Sequence, residues 1–262
     1  MNARHAVLAF VLAMVTTVTI AFLLEVTGVS GRPLLTLLVG HLALALVALG
    51  ILRMVRPPQG LPLRLPGPRQ AMGTALLGLG ALLVSASSLA RLYNFAWGQE
   101  YVELLKQIFT ELHQQIGTVG VVILTALFVP LCEELLFRGV VQRALRPALG
   151  PAGAIFVAAT LFGLFHGHPV HALVAFLLGL AAGYALEATG TLWAPFLVHA
   201  ANNGAAILSG LGVSAAEDRT TAVLPWWVLL PAVLVLTVGG WLVRSDGAFR
   251  ISTAHGASDP EA

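Results

Sequence analysis

The sequence has little charge and almost no cysteine. Charged residues make up 10% of its 262 residues, whereas a soluble domain carries about 25%. A single cysteine excludes an intrachain disulfide, and a net charge of +2 is too small to indicate binding to nucleic acid. No hydrophilic stretch is long enough to form a second, soluble domain. The remaining composition, 58% hydrophobic, is typical of a membrane protein built from packed helices.

Long apolar runs predict an all-α fold, a polytopic membrane bundle of about eight transmembrane helices. Most of the arginine residues fall on the inner side if both termini are cytoplasmic, as the positive-inside rule requires. An amphipathic pattern over residues 92–116 predicts a helix on the membrane interface or, equally well, one packed on the bundle surface. The predicted spans are residues 6–24, 33–52, 71–90, 119–146, 152–165, 170–186, 192–211 and 224–243. The sequence also predicts a kink at Pro130, a break at residues 149–151 and a polar loop at residues 217–219.

Three short polar clusters interrupt this apolar sequence. An ion at the centre of a bilayer costs about 2.5–3.5 kcal/mol even on lenient insertion scales. Packing alone does not require such side chains, so the clusters predict a functional site inside the membrane. They are Glu133-Glu134-x-x-x-Arg138, Phe162-x-x-x-His166 and His199-x-x-x-Asn203.

The two adjacent glutamates of the first cluster are expected to have different roles. On a helix Glu134 and Arg138 are four residues apart, so they share a face and the arginine can neutralise the acid. Glu133 points about 100° away from Glu134, so it can face a cavity as a reactive carboxylate. The alternative for this cluster is a purely structural network of ion pairs.

The histidine of the second cluster is a weaker signal by itself. His166 lies one helical turn after Phe162, but a lone histidine at the end of a span is more often a packing residue. His168 and His171 follow closely and could suggest a metal site. Gly167 and Pro169 break the helical spacing, however, so the three imidazoles need not converge.

His199 and Asn203 also share one helical face. An imidazole and an amide can both donate hydrogen bonds to a developing oxyanion, although hydrogen bonding between helices is the alternative. Cys132 could be a nucleophile, but a lone cysteine in apolar sequence is more often a small buried residue. Gly179-x-x-x-Gly183 is a small-residue pattern that favours close helix packing.

The three motifs, in this order on successive predicted helices, resemble those of the CPBP family. This family contains the CAAX proteases and bacteriocin-processing enzymes, and is also called the Abi or type II CAAX prenyl protease family. The resemblance covers residues 120–210, and the combination of all three motifs is specific. The matching stretches run from Cys132 to Gly139, from Leu161 to His166 and from Gly190 to Asn203.

The resemblance divides the chain into three regions. Residues 1–117 are expected to be variable transmembrane helices with a basic loop and the interfacial helix, and nothing in the first 90 residues matches the family motifs. Residues 118–211 are expected to form the catalytic core. Residues 212–262 are expected to hold the last transmembrane helix and a polar cytoplasmic tail.

The resemblance implies an intramembrane endopeptidase. It implies that Glu133 and His166 activate a water molecule and that His199 and Asn203 stabilise the oxyanion. It also implies that Glu134 and Arg138 form a supporting pair. The main alternatives are a non-catalytic membrane immunity or scaffold protein and a small ion-coupled transporter, although we find no internal repeat of the kind that transporters show.

Family members are often described as metalloproteases, which leaves zinc as an alternative cofactor. Glu133, His166 and His199 would be a His₂Glu ligand set. A glutamate that binds metal is then unavailable as the base, and the nearby acid Glu134 is already expected to pair with Arg138. The sequence has no His-Glu-x-x-His helix either, so a metal-free mechanism without a cofactor is favoured.

The expected partners are the lipid bilayer and a membrane-bound peptide or protein substrate, and no nucleic acid. An arginine-rich composition with one lysine favours a bacterial chain. We therefore expect an integral, multi-pass protein of the bacterial plasma membrane. Its substrate would be a bacteriocin leader or a membrane-bound signalling protein rather than a prenylated protein.

Overall fold

The structure is a computed structural model, and it describes residues 1–28, 32–58, 60–92, 95–213 and 226–244. These residues form helices and no β-strand, which confirms the predicted all-α fold. The helices in chain order are α1 (Ala3–Val26), α2 (Pro33–Val55), α3 (Pro68–Leu92), α4 (Ala96–Val122), α5 (Val129–Leu136), α6 (Arg143–Phe165), α7 (Pro169–Thr189), α8 (Trp193–Val213) and α9 (Leu229–Val243).

Five helical segments of the described chain are long and apolar enough to cross a bilayer. They confirm a polytopic helical membrane protein, whereas the number of eight spans stays a prediction. The last predicted span is represented by α9, a helix of only 15 residues, and the predicted polar loop at 217–219 lies outside the described residues. The five segments are Ala3–Val26, Pro33–Val55, Pro68–Ser88, Trp97–Phe165 and Pro169–Thr189.

The longest segment is bent at two glycines. Gly117 has φ 64° and ψ 174°, and Gly150 has φ 67° and ψ 177°, a left-handed backbone region that glycine adopts without strain. The break that the sequence predicts at residues 149–151 is therefore present. It lets the chain turn after α5 and return along α6, whose far end carries His166.

Helix α5 carries the two glutamates. A π-helical turn precedes it, Ile123–Phe128, and another follows it, Phe137–Gln142. Pro130 explains the irregularity at its start, because proline has no N–H and its ring clashes with the carbonyl four residues earlier. The predicted kink at Pro130 thus takes the form of a π-turn. Such turns rotate the following side chains relative to a regular helix and are frequent at functional sites.

The predicted small-residue pattern in α7 brings its backbone against α6 and the second π-turn. A Cβ atom at Gly179 would lie 3.0 Å from the Cβ of Ala159. A Cβ atom at Gly183 would lie 2.9 Å from Oε1 of Gln142. Because no side chain intervenes, the two glycine carbonyls accept hydrogen bonds from Arg138 at 3.2 Å and from Gln142 at 3.1 Å.

The N-terminal helices share an apolar core with the helices of the predicted catalytic region. Helix α1 presents Ala6, Ala9 and Ala13 to this core, so small residues allow a close approach. On α2 the buried face contains Leu44, Ala48, Ile51 and Leu52, which pack with Leu136, Phe137 and other residues of α5 and the second π-turn. The region predicted to be variable therefore forms one wall around α5.

The predicted interfacial helix lies within α4. Of the apolar side chains in this amphipathic pattern, those of Tyr101 and Leu112 are buried, whereas those of Trp97 and Leu104 are exposed. The apolar face therefore packs on the bundle only in part. Its place on a membrane interface stays a prediction.

Candidate active site

The carboxylate of Glu133 lies at the centre of three imidazoles. Glu133 is 3% exposed, and its Oε1 is 3.2 Å from Nε2 of His41 and 3.9 Å from Nε2 of His166. Its Oε2 is 3.6 Å from Nε2 of His199. The two motif histidines and the first glutamate are thus brought together, although they come from three different helices or helix ends.

His41 was not predicted as a site residue. It lies on α2, 92 positions before Glu133, and it forms the one direct side-chain hydrogen bond to Glu133 in the described part of the chain. The available signal was an imidazole inside an uncharged apolar run. That signal is weak because no second polar residue of α2 lies three or four positions from His41 and would mark a polar face.

Hydrogen bonds fix the ring orientation of all three histidines. The Nδ1 atoms of His41 and His166 lie 2.8 Å from the carbonyl oxygens of Leu37 and Phe162, four residues earlier in each case. Since a carbonyl only accepts, each Nδ1 carries a hydrogen and donates it. The nitrogen that faces Glu133 is therefore Nε2 in both residues, and it is a lone pair whenever the ring is neutral.

Glu134 holds the third ring in the same way. Its Oε1 accepts from Nδ1 of His199 at 2.8 Å and from Nη1 of Arg138 at 3.1 Å. The expected pairing of Glu134 with Arg138 is thus present. Arg138 is fully buried, and its guanidinium also lies over the ring of Phe162, 4.7 Å from the centroid. The charge of Glu134 is compensated from two sides, and this network supports both His199 and Phe162.

Asn203 lies one turn after His199 on α8, and its side chain forms hydrogen bonds with the first π-turn and with its neighbour on α8. Its Nδ2 donates to the carbonyl oxygen of Thr125 at 3.0 Å, and its Oδ1 accepts from Asn202 at 3.3 Å. An amide nitrogen carries two hydrogens, so one remains for a further acceptor. Cys132, beside Glu133, is a buried free thiol, in agreement with a packing role.

The histidines that follow His166 do converge in part. The rings of His166 and His171 are 4.1 Å apart between centroids. His168 stacks on Tyr101 of α4 with centroids 4.8 Å apart. The turn at Gly167, with φ 71°, brings these rings together in a way that helical spacing does not predict. They form one edge of the site.

Access to Glu133 is uneven. The side chains of His41 and His166 are 15% and 13% exposed to solvent, whereas the side chain of His199 is 4% exposed. Glu133 can therefore be approached from the side of His41 and His166. The side of Glu134 and Arg138 is closed, and His199 lies between that side and Glu133.

A metal ion would need three or more ligands that converge on one point. Among the described residues, no group of three or more histidine, cysteine, aspartate or glutamate side chains is arranged to hold one. The ligand set Glu133, His166 and His199 therefore does not have a metal-binding arrangement here. The cofactor content of the protein stays a prediction.

Comparisons with known proteins bear on the segment that contains this site. A protein-family model described as type II CAAX prenyl endopeptidase Rce1-like matches residues 115–205. No curated protein and no solved structure matches the chain. The matched segment contains all three motifs, and the apolar helices make the protein an integral, multi-pass membrane protein. Residues 115–205 of this chain are therefore similar to the Rce1-like family of type II CAAX prenyl endopeptidases.

Proposed function

We propose that the protein is an intramembrane endopeptidase that hydrolyses a peptide bond of a membrane-associated protein or peptide. The observation that carries this proposal is the buried carboxylate of Glu133 among three imidazoles. Such a group is costly in a bilayer and is kept for chemistry. The family match over residues 115–205 supports the same class of reaction.

In the proposed mechanism Glu133 acts as the general base. The separation of 3.9 Å between His166 Nε2 and Glu133 Oε1 is too long for a direct hydrogen bond. A water molecule can instead form a hydrogen bond to each of the two groups. Glu133 takes one proton of this water while the water oxygen attacks the carbonyl carbon of the peptide bond. Glu133 then returns the proton to the leaving amine nitrogen.

His199 and Asn203 are proposed to stabilise the oxyanion. Because Nδ1 of His199 donates to Glu134, its Nε2 can donate only when the ring carries a second proton. The carboxylate of Glu134 compensates that charge, as the aspartate does for the histidine of a serine-protease triad. The second N–H of Asn203 supplies the other donor. Glu134 and Arg138 are supporting residues and do not contact the substrate.

The mechanism is proposed to be metal-free, with zinc bound by Glu133, His166 and His199 as the alternative. The proposed substrate is a bacteriocin leader or a membrane-bound signalling protein. The protein is proposed to lie in a bacterial plasma membrane with both termini in the cytoplasm. Support for the location comes from the apolar helices and from the distribution of arginine.

The test compares the membrane peptidomes of cells that express the native chain, Glu133→Gln or Glu103→Gln at equal levels. Glu103 is an exposed glutamate paired with Lys106, so its variant is the matched control. We expect new cleaved termini with the native chain and the control, and none with Glu133→Gln, because loss of a general base costs about 10²–10⁴-fold in rate.

Two results would contradict the proposal. Termini that persist in Glu133→Gln would remove Glu133 from the chemistry, and identical peptidomes from folded native and variant proteins would favour a scaffold or transporter. Metal analysis of the same purified native protein tests the metal-free part. Stoichiometric, tightly bound zinc would contradict it.

A further inference from the structure

We propose that His41 is a positioning residue of the active site, so that helix α2 completes a catalytic centre that the family segment alone leaves open. The inference rests on the proposed function, in which Glu133 is the base. It starts from the hydrogen bond of 3.2 Å between His41 Nε2 and Glu133 Oε1. The motif histidines are both farther from this carboxylate, at 3.6 and 3.9 Å.

The ring of His41 is held in the same way as that of His166. Each histidine donates Nδ1–H to the carbonyl oxygen four residues earlier on its own helix, at 2.8 Å in both cases. Each then presents Nε2 to the same oxygen, Oε1 of Glu133. Residues Leu37 and His41 thus repeat on α2 the arrangement that Phe162 and His166 form at the end of α6. A histidine that only fills space does not require this double constraint.

Helix packing fixes where the His41 ring can be. Leu44, Ala48 and Ile51 follow His41 on the same face of α2 at three- and four-residue spacing. These three residues are buried against α5 and its neighbours. His41 is therefore the polar end of an apolar stripe. Its side chain reaches Glu133 because the stripe sets the register of α2 against α5.

The hydrogen-bond donors and acceptors of His41 and Glu133 show that a proton lies between the two side chains. Nδ1 of His41 already donates to Leu37, so a neutral ring would present a lone pair to a carboxylate oxygen. Two acceptors do not stabilise each other at 3.2 Å, so one proton lies between Nε2 and Oε1. This hydrogen bond holds Oε1 and fixes the carboxylate plane. Oε1 is thereby kept beside the water proposed between it and Nε2 of His166, and Oε2 is left facing His199.

A pair of substitutions at His41 tests the role in the full-length protein. In His41→Leu the hydrogen bond is lost while the volume is largely kept. In His41→Gln an amide N–H takes the place of the Nε2 donor. We expect His41→Leu to lower kcat about 10²-fold, as a misplaced catalytic group does. We expect an unchanged KM and an unchanged thermal midpoint. His41→Gln should recover most of kcat.

The matched control is His113→Leu, the same substitution at an exposed histidine of α4, which should leave kcat unchanged. An unchanged kcat in His41→Leu would overturn the inference. Equal losses in His41→Leu and His41→Gln would also overturn it, because a donor role predicts that the amide rescues activity.

A second measurement does not depend on proteolysis. In protein labelled with [¹⁵N]histidine, the imidazole signals of His41 are assigned by their absence in His41→Gln. We expect these signals to shift in Glu133→Gln and to stay unchanged in Glu187→Gln, since Glu187 pairs with Arg146 instead. A shift in a chain that cleaves no substrate would support the pairing while the proposed function fails. Unshifted His41 signals would overturn the inference.

Discussion

The two sides of α5 carry neighbouring glutamates in very different surroundings. On one side, Oε1 of Glu134 accepts hydrogen bonds from His199 and Arg138 at 2.8 and 3.1 Å, and the arginine is fully buried. On the other side, Glu133 has one side-chain hydrogen bond to the described residues, at 3.2 Å, and two further imidazoles lie beyond hydrogen-bond distance.

The difference indicates how one helix can hold a structural acid and a reactive acid at consecutive positions. Charges that are removed from water without good partners are costly, so the closed side compensates the charge of Glu134 through Oε1, which accepts from His199 and Arg138. The open side leaves space between Glu133, His166 and His199. Gaps of 3.6–3.9 Å are expected before a substrate and a water are bound, because catalytic hydrogen bonds are often long in their absence.

The largest effect on stability is expected from Arg138→Met. This change removes the cation that neutralises Glu134 and leaves a buried carboxylate without a compensating charge. Breaking a buried ion pair in this way costs about 3–5 kcal/mol. We expect a corresponding loss in the free energy of unfolding, measured by denaturation in mixed micelles.

A double variant sharpens this prediction. In Arg138→Met with Glu134→Gln the unpaired charge is removed as well, so much of the lost stability should return. Activity should stay low, because His199 has then lost its carboxylate. Equal stability of the native protein and the single variant would show that the closed side is not what holds this part of the bundle.

The closed side could be predicted from local sequence, whereas the open side could be predicted only in part. The spacing of Glu134 and Arg138 is a helical i, i+4 pattern, so the sequence alone indicates their contact. The meeting of Glu133, His166 and His199 was expected from the family resemblance. Their distances depend on the π-turns around α5 and on the bend at Gly150, and helical periodicity does not contain that information.

His41 shows why the remainder of the site could not be predicted. Its contact with Glu133 joins positions 92 residues apart and depends on how α2 packs against α5. A single histidine in an apolar helix has no partner at helical spacing that would mark its role. The same limit applies to the close approach of the His166 and His171 rings, which a glycine turn produces.

The second prediction concerns His199, which lies between the two sides of α5. Its expected effect is smaller than that of Arg138→Met. In His199→Asn the amide nitrogen can keep the hydrogen bond to Glu134, while the group that faces Glu133 is lost. We expect a fold close to the native one and a kcat about 10²–10³-fold lower, as for the loss of one oxyanion donor. Steady-state cleavage of an identified substrate measures this effect.

The matching control is His199→Gln, which loses the donor to Glu134 and keeps an amide near the position of Nε2. It should lose stability and keep more of its activity per folded molecule than His199→Asn. If both variants lose kcat and stability together, the two nitrogens of His199 do not have separate tasks.

The smallest effect is expected from Gly179→Ala, which strains the closed side without touching the open one. The added methyl would lie 3.0 Å from the Cβ of Ala159 and 3.4 Å from Nη2 of Arg138. Overpacking of this kind costs about 1–3 kcal/mol. We expect a lower free energy of unfolding and an unchanged kcat per folded molecule.

The control for this last change is Gly40→Ala on α2, where an added Cβ meets nothing within 4 Å. Alanine favours a helix over glycine by about 1 kcal/mol, so this variant should be at least as stable as the native protein. The two substitutions are chemically identical, and their difference measures the close approach of α7 to α6 and Arg138. A fall in kcat for Gly179→Ala at full folding would show that strain on Arg138 is transmitted to Glu133. The closed and open sides of α5 would then act as one unit rather than two.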